Sequence, residues 1–346
     1  MRFSDLKYLI AYTVPLAGLI SLQHNGLWSW TAVLYAFGLI PIVELFVKKS
    51  EENLSSSDEE NKKSNVFFDL LLYFNIPIIF SLLVYFLFLV SSYNLPTSDF
   101  LGKIFSIGIV LGVGINVAHE LGHKSKWHQK LAAKAILLPN LYMHFFIEHN
   151  RGHHLHIATP KDPATSRKGE NLYFFWVRSV TLSYFSAWEI EAKRLKNLNQ
   201  AVITFHNEML NFQLIQLIYL GIIYYYFDIK GLFSAISVAV VGFLLLETIN
   251  YIEHYGLTRK LLPNGKYEKV DVIHSWNSNH EFGRILLYEL TRHSDHHYKS
   301  NRKFQVLRHH DESPQLPLGY PGSMLLSFIP PLWFLVMNKE LRKLEH

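Results

Sequence analysis

Long apolar blocks alternate with short polar ones along the 346-residue chain. A helix crosses roughly 30 Å of hydrocarbon with about 20 apolar residues. Six blocks reach that length, at approximately 6–22, 27–47, 66–93, 100–118, 208–227 and 232–251. The pattern predicts an all-α integral membrane protein, a bundle of six transmembrane helices read as one domain over 1–346. The third block carries Asp69, Asn75 and Pro77, so a tilt or kink is expected there. Gly108, Gly112 and Gly114 in the fourth allow a neighbouring helix to approach closely. Two further stretches, 131–147 and 324–337, are interrupted by polar residues or proline, and read as interfacial or re-entrant. No small-residue cleavage pattern follows the first block, so it is expected to be retained as a span.

Charge then sets the sides. Arg2 and Lys7 precede the first span, and Lys48, Lys49, Lys62 and Lys63 follow the second. The loops after spans one and three carry no lysine or arginine. This positive-inside pattern puts the N-terminus in the cytoplasm and, with six spans, the C-terminus too. The large polar regions 119–207 and 252–346 then form a cytoplasmic cap. The segment 48–65, "KKSEENLSSSDEENKKSN", is polar and charged, and a flexible loop is expected. The net charge of +5 fits lysine-rich cytoplasmic loops and lipid contact, with no nucleic-acid partner implied. The chain has no cysteine, which excludes disulfides, cysteine-ligated iron–sulfur clusters and thiolate haem. Any redox chemistry here needs electrons from another molecule.

The 19 histidines are concentrated in the cap. They read "HELGH" (His119, His123), "EHNRGHH" (His149, His153, His154), "YIEHYG" (His254) and "RHSDHH" (His293, His296, His297). Helical positions i and i+4 share a face, so His119/His123, His149/His153 and His293/His297 are expected as face-sharing pairs. A lone histidine such as His254 is usually a hydrogen-bonded structural residue, but three multi-histidine groups abutting span ends point to metal. One zinc ion takes three or four ligands. Two ions sharing eight or nine imidazoles fit better, and iron suits oxygen chemistry. "HELGH" also looks like the HExxH of zinc proteases with Glu120 as base, a reading that leaves seven clustered histidines without a role. A metal transporter would place such ligands near the midplane of its spans. Glu120, Glu148, Glu253 and Asp295 could accept the second N–H of a ligating ring, and Asn250 is a further candidate. Each is also compatible with an ordinary helix-end position. The stretch 131–147 must not cross the bilayer, since crossing would put His123 and His149 on opposite sides.

These groups resemble the histidine boxes of the membrane di-iron desaturases and hydroxylases, and most closely the alkane 1-monooxygenase branch. The resemblance rests on "HELGHK", "EHNRGHH", "NYIEHYGL" and "TRHSDHH", and on "HSWNS", "ATPKDPATSRKGE" and "SPQLPLGYPG". Thr291 stands where the family often has glutamine, a departure outside the ligand set. The resemblance implies two non-haem irons held by His119, His123, His149, His153, His154, His254, His293, His296 and His297. It also implies O2-dependent conversion of an n-alkane to a primary alcohol in a bacterial inner membrane. Rubredoxin, fed by an NAD(P)H-dependent reductase, would supply electrons. Fatty-acyl desaturation or hydroxylation, or xylene-type alkylaromatic oxidation, are the alternatives on the same metal site. Lys124, Lys126, Arg292, Lys299, Arg302 and Lys303 are candidates for steering an acidic donor, and equally for lipid headgroup contact.

Overall fold

A computed structural model describes residues 2–344, and among these the regular structure is helical, with only isolated bridges of extended chain. Five helices are long and apolar enough to cross a membrane: Phe3–Gln23, Gly26–Phe46, Val66–Ser92, Thr97–Gly122 and Glu208–His254. Six spans were expected. The difference lies in the last helix, whose 47 residues contain both of the final two expected blocks. Straight, it would measure about 70 Å, more than twice the hydrocarbon thickness. It is not straight. Asp228 has φ 56° and ψ −171°, outside the helical region, and the chain reverses there. Glu208 pairs with Lys134 and Arg151 at 2.9 and 3.1 Å, beside the histidine-rich cap. At the break, Phe227 O accepts from Ser91 Oγ and Lys230 Nζ donates to Tyr93 O, at the far end of Val66–Ser92. The chain then returns, and His254 lies in the cap again.

Thr97–Gly122 is the central post, the most buried of the five. Its glycines allow the close approach expected of them. A Cβ on Gly112 would lie 3.2 Å from Gly242 O and 3.3 Å from Leu245 Cβ on the returning arm. Near its start, buried Lys103 donates to the carbonyls of Ser21, Leu22 and His24 at 2.7, 3.3 and 2.6 Å. These carbonyls end the first helix and have no onward helical donor. Lys103→Met is expected to lower the melting temperature by removing hydrogen bonds of about 1.5–3 kcal/mol each, leaving iron content unchanged. Circular dichroism melts with metal analysis check both. The third block is interrupted only at Phe74, whose φ of −64° and ψ of −19° stay helical; beside it Asn75 Nδ2 donates to Leu71 O at 2.8 Å.

The stretch 131–147 leaves the cap and comes back to it. Trp127–Leu137 runs inward, Leu138–Asn140 turns, and Leu141 takes a left-handed φ of 51°. Buried Asn140 reaches Leu111 O, roughly 12 Å below His119 along the central helix. The turn therefore dips between the long helices. The stretch 324–337 divides between Tyr320–Ser327 and Pro330–Leu344, which pack Met324, Trp333 and Met337 onto Tyr251 and Tyr255.

The segment 48–65 corrects an expectation. In place of a flexible loop it carries the helix Ser56–Lys63, with Ser55 accepting from Asp58 N and acids in its first turn. Glu59 is buried against Arg308, and Lys62 pairs with Asp5 at 2.7 Å. Its charges are spent on partners in the cap, which composition alone does not reveal.

Candidate metal centre

Four pieces of chain deliver the histidines. His119 and His123 close the central helix. His149, His153 and His154 lie in a helical segment that follows the dipping turn. His254 ends the returning arm, and His293, His296 and His297 lie on the short helix His293–Tyr298. All nine sequence-predicted histidines come together, in two groups. His119, His123, His149, His154 and His296 form one, and His153, His254, His293 and His297 the other, with ligand atoms within 4.8 Å of one another in each. The groups adjoin: the rings of His154 and His297 have centroids 4.5 Å apart.

His149 and His153 stay neighbours, as expected, with ring centroids 5.1 Å apart, but they fall in different groups. His149–His153 is a wide turn with i→i+5 bonding, so His149 faces His154, Nε2 to Nε2 at 3.0 Å, and His153 turns to the other group. Gly152 makes room for this turn; a Cβ there would lie 2.7 Å from Glu148 Oε1 and 2.9 Å from Ile190 Cδ1. The pairs His119/His123 and His293/His297 do stay together, and His296 crosses to the first group.

The donor atoms fit a pair of metal ions. Nitrogen ligands about 2.1 Å from one ion lie roughly 3.0–3.4 Å from each other in tetrahedral or octahedral geometry. In the first group the Nε2 separations are 3.2 Å for His123–His149, 3.2 Å for His123–His154 and 3.2 Å for His154–His296. In the second they are 3.3 Å for His153–His297, 3.3 Å for His254–His293 and 2.9 Å for His293–His297. A neutral imidazole has one N–H, so such rings cannot satisfy one another all round. His119 Nε2, buried, has no hydrogen-bond partner. Burial pushes His123 down to about 4, and burial with neighbouring imidazoles holds His149, His154, His293, His296 and His297 well below the ordinary range. Both effects favour the neutral ring, the form that ligates metal.

This arrangement, two converging groups of imidazoles at the end of an apolar helix bundle, matches what comparison with known proteins finds. The family model for fatty acid desaturases matches residues 98–323, which contain every one of the nine histidines. Alkane 1-monooxygenase 1 of Alcanivorax borkumensis is 36% identical over 335 residues, covering 96% of this chain and 83% of that protein. Alkane 1-monooxygenase 2 of Pseudomonas aeruginosa is 37% identical over 328 residues, covering 92% and 86%. The chain belongs to the alkane 1-monooxygenase family. The hydroxylase component of xylene/toluene monooxygenase from Pseudomonas putida is more distant, at 28% identity over 339 residues. Membership makes this an oxidoreductase, of a family within the desaturase group.

The carboxylates behave differently from the expectation for this family member. Asp162, not foreseen as a site residue, is the one that holds a ring. Its Oδ2 lies 2.9 Å from His153 Nδ1, and it also accepts from Thr165 Oγ1 at 2.5 Å and Ala164 N at 3.0 Å. An ionised carboxylate only accepts, so Nδ1 carries the proton and Nε2 presents its lone pair to the group. Burial opposes charge on His153, but Asp162 and Glu148 together raise its pKa. The signal was present in "KDPAT", an aspartate–proline turn nine residues after His153.

Glu253 touches the site from an unexpected side. Its Oε2 is 3.1 Å from His293 Nε2, the nitrogen that faces His297, and Tyr320 donates to its Oε1 at 2.8 Å. It stands among the donor atoms and not behind the ring. Glu120 accepts from Phe304 N at 3.3 Å and lies 4.0 Å from Lys124. Glu148 meets Ser186, and burial pushes its pKa up. Asn250 bonds Glu247. Asp295 is taken by Arg302 at 2.5 Å, Arg308 N at 2.9 Å and His310 at 2.8 Å. Among the described residues none of these four hydrogen-bonds one of the nine rings. Their charge and burial mark the cap as tightly built, and sequence proximity to a histidine does not predict contact with it.

Most of the basic residues expected to steer a partner are also engaged. Lys124 is buried on Asp69 at 2.6 Å, and Arg292 is buried with its guanidinium on Leu307 O and Glu52 O. Arg302 holds Asp295, and Lys303 donates to Lys63 O. Lys126 and Lys299 remain exposed.

Below the two groups lies an apolar cavity among the long helices and the cap. Val14, Ile40, Ile109, Val113, Leu245 and Met324 line it. At its upper end stand Asn116, one turn before His119, Ile249, five residues before His254, and Tyr320, whose hydroxyl bonds Glu253. The Gly26–Phe46 helix widens into an i→i+5 turn at Tyr35–Leu39 where it meets this cavity through Ala36 and Phe37.

Proposed function

We propose that this protein hydroxylates the terminal methyl of n-alkanes, RH + O2 + 2 e⁻ + 2 H⁺ → ROH + H2O, at two iron ions held by the nine histidines. The observation that carries the reading is the apolar cavity ending beneath the paired histidine groups. His119, His123, His149, His154 and His296 would hold one ion, and His153, His254, His293 and His297 the other. Bound there, the pair supplies reductive activation of O2 and insertion of one oxygen atom into a C–H bond. Asp162 fixes the tautomer of His153, and Tyr320 fixes Glu253 at the edge of the second group. An alkane has no polar handle, so the cavity binds it by area alone, about 0.8 kcal/mol per methylene. The walls keep water from the reacting carbon and aim one chain end upward, past Asn116. Rubredoxin, reduced through an NAD(P)H-dependent reductase, is the proposed donor, since the chain has no cysteine to hold an iron–sulfur cluster of its own. In this reading the chain crosses a bacterial inner membrane six times, with the cap and both termini in the cytoplasm; the break at Asp228 and the positive-inside pattern support it.

The test is turnover of octane and hexadecane by purified protein with rubredoxin, reductase, NADH and ¹⁸O2. A labelled primary alcohol supports the proposal. An alkene product, or no oxidation of any alkane, rejects it.

Ile109 lies ten residues, about 15 Å, below His119 along the central helix. Ile109→Phe is expected to lower kcat/KM for long alkanes and to spare short ones, at roughly fourfold per methylene excluded. A chain-length series of competition assays measures it, and a uniform loss across all lengths would contradict a place for Ile109 on the wall that the far end of the chain meets.

A further inference from the structure

Resting on the di-iron reading above, we propose that the open cleft beside His123 is where electrons enter, as the docking face for a small acidic one-electron carrier. Seven of the nine histidines are fully buried, and only His123 and His154 reach partial exposure. Of the two, His123 forms part of the wall of an open, mostly polar cleft. A carrier seated in that cleft would meet the edge of a site imidazole with no intervening layer of protein. The seven rings other than His123 and His154 are buried by the cap.

The charge of the cleft selects the partner. Lys124, Lys130, Lys134 and Arg151 line it, against one carboxylate, Glu208. Glu208 pairs with Lys134 and Arg151, Arg151 also meets Glu191 at 3.2 Å, and Lys124 is held by Asp69, so the uncompensated charge of the cleft is that of Lys130. Lys130 and the adjoining Lys126 are exposed, and neither has an ion pair among the described residues. An acidic surface would be steered here, and its binding would weaken with salt. The basic run after His297, the other candidate face, is largely consumed internally by Arg302 on Asp295 and Lys303 on Lys63 O. Each docking passes one electron into the centre and leaves the carrier oxidised by one, with no proton or bond change in the carrier required.

The experiment uses full-length protein in lipid nanodiscs, with rubredoxin as the probe. Affinity is measured by calorimetry at low and high ionic strength for wild type, Lys126→Glu/Lys130→Glu and Lys299→Glu. Iron content and helicity are checked to exclude misfolding. The double variant is expected to bind about tenfold more weakly at low salt, with the difference shrinking at high salt, and Lys299→Glu to bind as wild type does. Reduction of the iron centre by dithionite-reduced methyl viologen, which needs no docking face, should be unchanged in both. Wild-type affinity in the double variant, loss only in Lys299→Glu, or no binding by wild type overturns the proposal. Alkane oxidation driven by the chemical reductant tests the hydroxylase reading separately, because it does not involve the cleft.

Discussion

Changing His254 to alanine is expected to empty the four-histidine group, cutting iron from about two to about one per chain and abolishing alkane oxidation. In the sequence His254 stands alone, the pattern that most often marks a structural histidine. In the fold its Nε2 lies 3.3 Å from that of His293, and its ring packs against His153 and His297. Removing it leaves three imidazoles, one short of a closed tetrahedral set. The five-histidine group does not include it, so the first ion should remain. Metal analysis of the purified variant, with helicity as the control for folding, checks this. Full iron occupancy with wild-type turnover would remove His254 from the ligand set.

The second large effect is expected at a residue that is not a ligand. Asp162→Asn keeps the size of the side chain and loses the charge. An amide can offer its NH2 to His153 Nδ1, which would move the ring proton to Nε2 and turn an N–H toward the metal. Loss of such a supporting carboxylate typically costs about 10–100-fold in metal affinity. Titration of the apo variant with iron(II) under anaerobic conditions should show that loss in the second group, with the first group near its wild-type affinity. Thr165→Val removes only one donor to Asp162 and should have a much smaller effect. Equal losses in both groups would mean that Asp162 acts on the whole cap and not through His153.

Why the long helices were legible is plain from their physics. Hydrocarbon demands apolar side chains over a fixed length, so blocks such as 100–118 stand out, and the helix Thr97–Gly122 only extends that block at both ends. The reversal at Asp228 was bracketed between 227 and 232 because polar residues interrupt the apolar run there. The nine histidines were legible because chemistry-bearing residues recur at helical spacing. Their partition was not. It depends on one wide turn at His149–His153, and nothing in "EHNRGHH" distinguishes i→i+5 from i→i+4 bonding except Gly152, whose role needs the neighbouring Ile190 to be seen.

Carboxylates were harder still. Asp295 sits between His293 and His296 in sequence, yet faces Arg302 and His310, while Asp162 reaches His153 from nine residues away through an aspartate–proline turn. A helix places adjacent side chains about 100° apart, so adjacency in sequence argues against contact with the same group. The segment 48–65 and the basic residues Arg292 and Arg302 were hard to place for a common reason. Charge reads as solvated surface in a sequence, but here Glu59, Arg292 and Arg302 are bound to partners from distant parts of the chain.

The most direct test of the paired centre is iron K-edge absorption on metal-quantified protein, reconstituted with iron(II) under anaerobic conditions. Two irons per chain in a shell dominated by nitrogen at imidazole distances, with one lost in His254→Ala, is the predicted result. A single metal per chain, or a shell dominated by carboxylate oxygen, would contradict it.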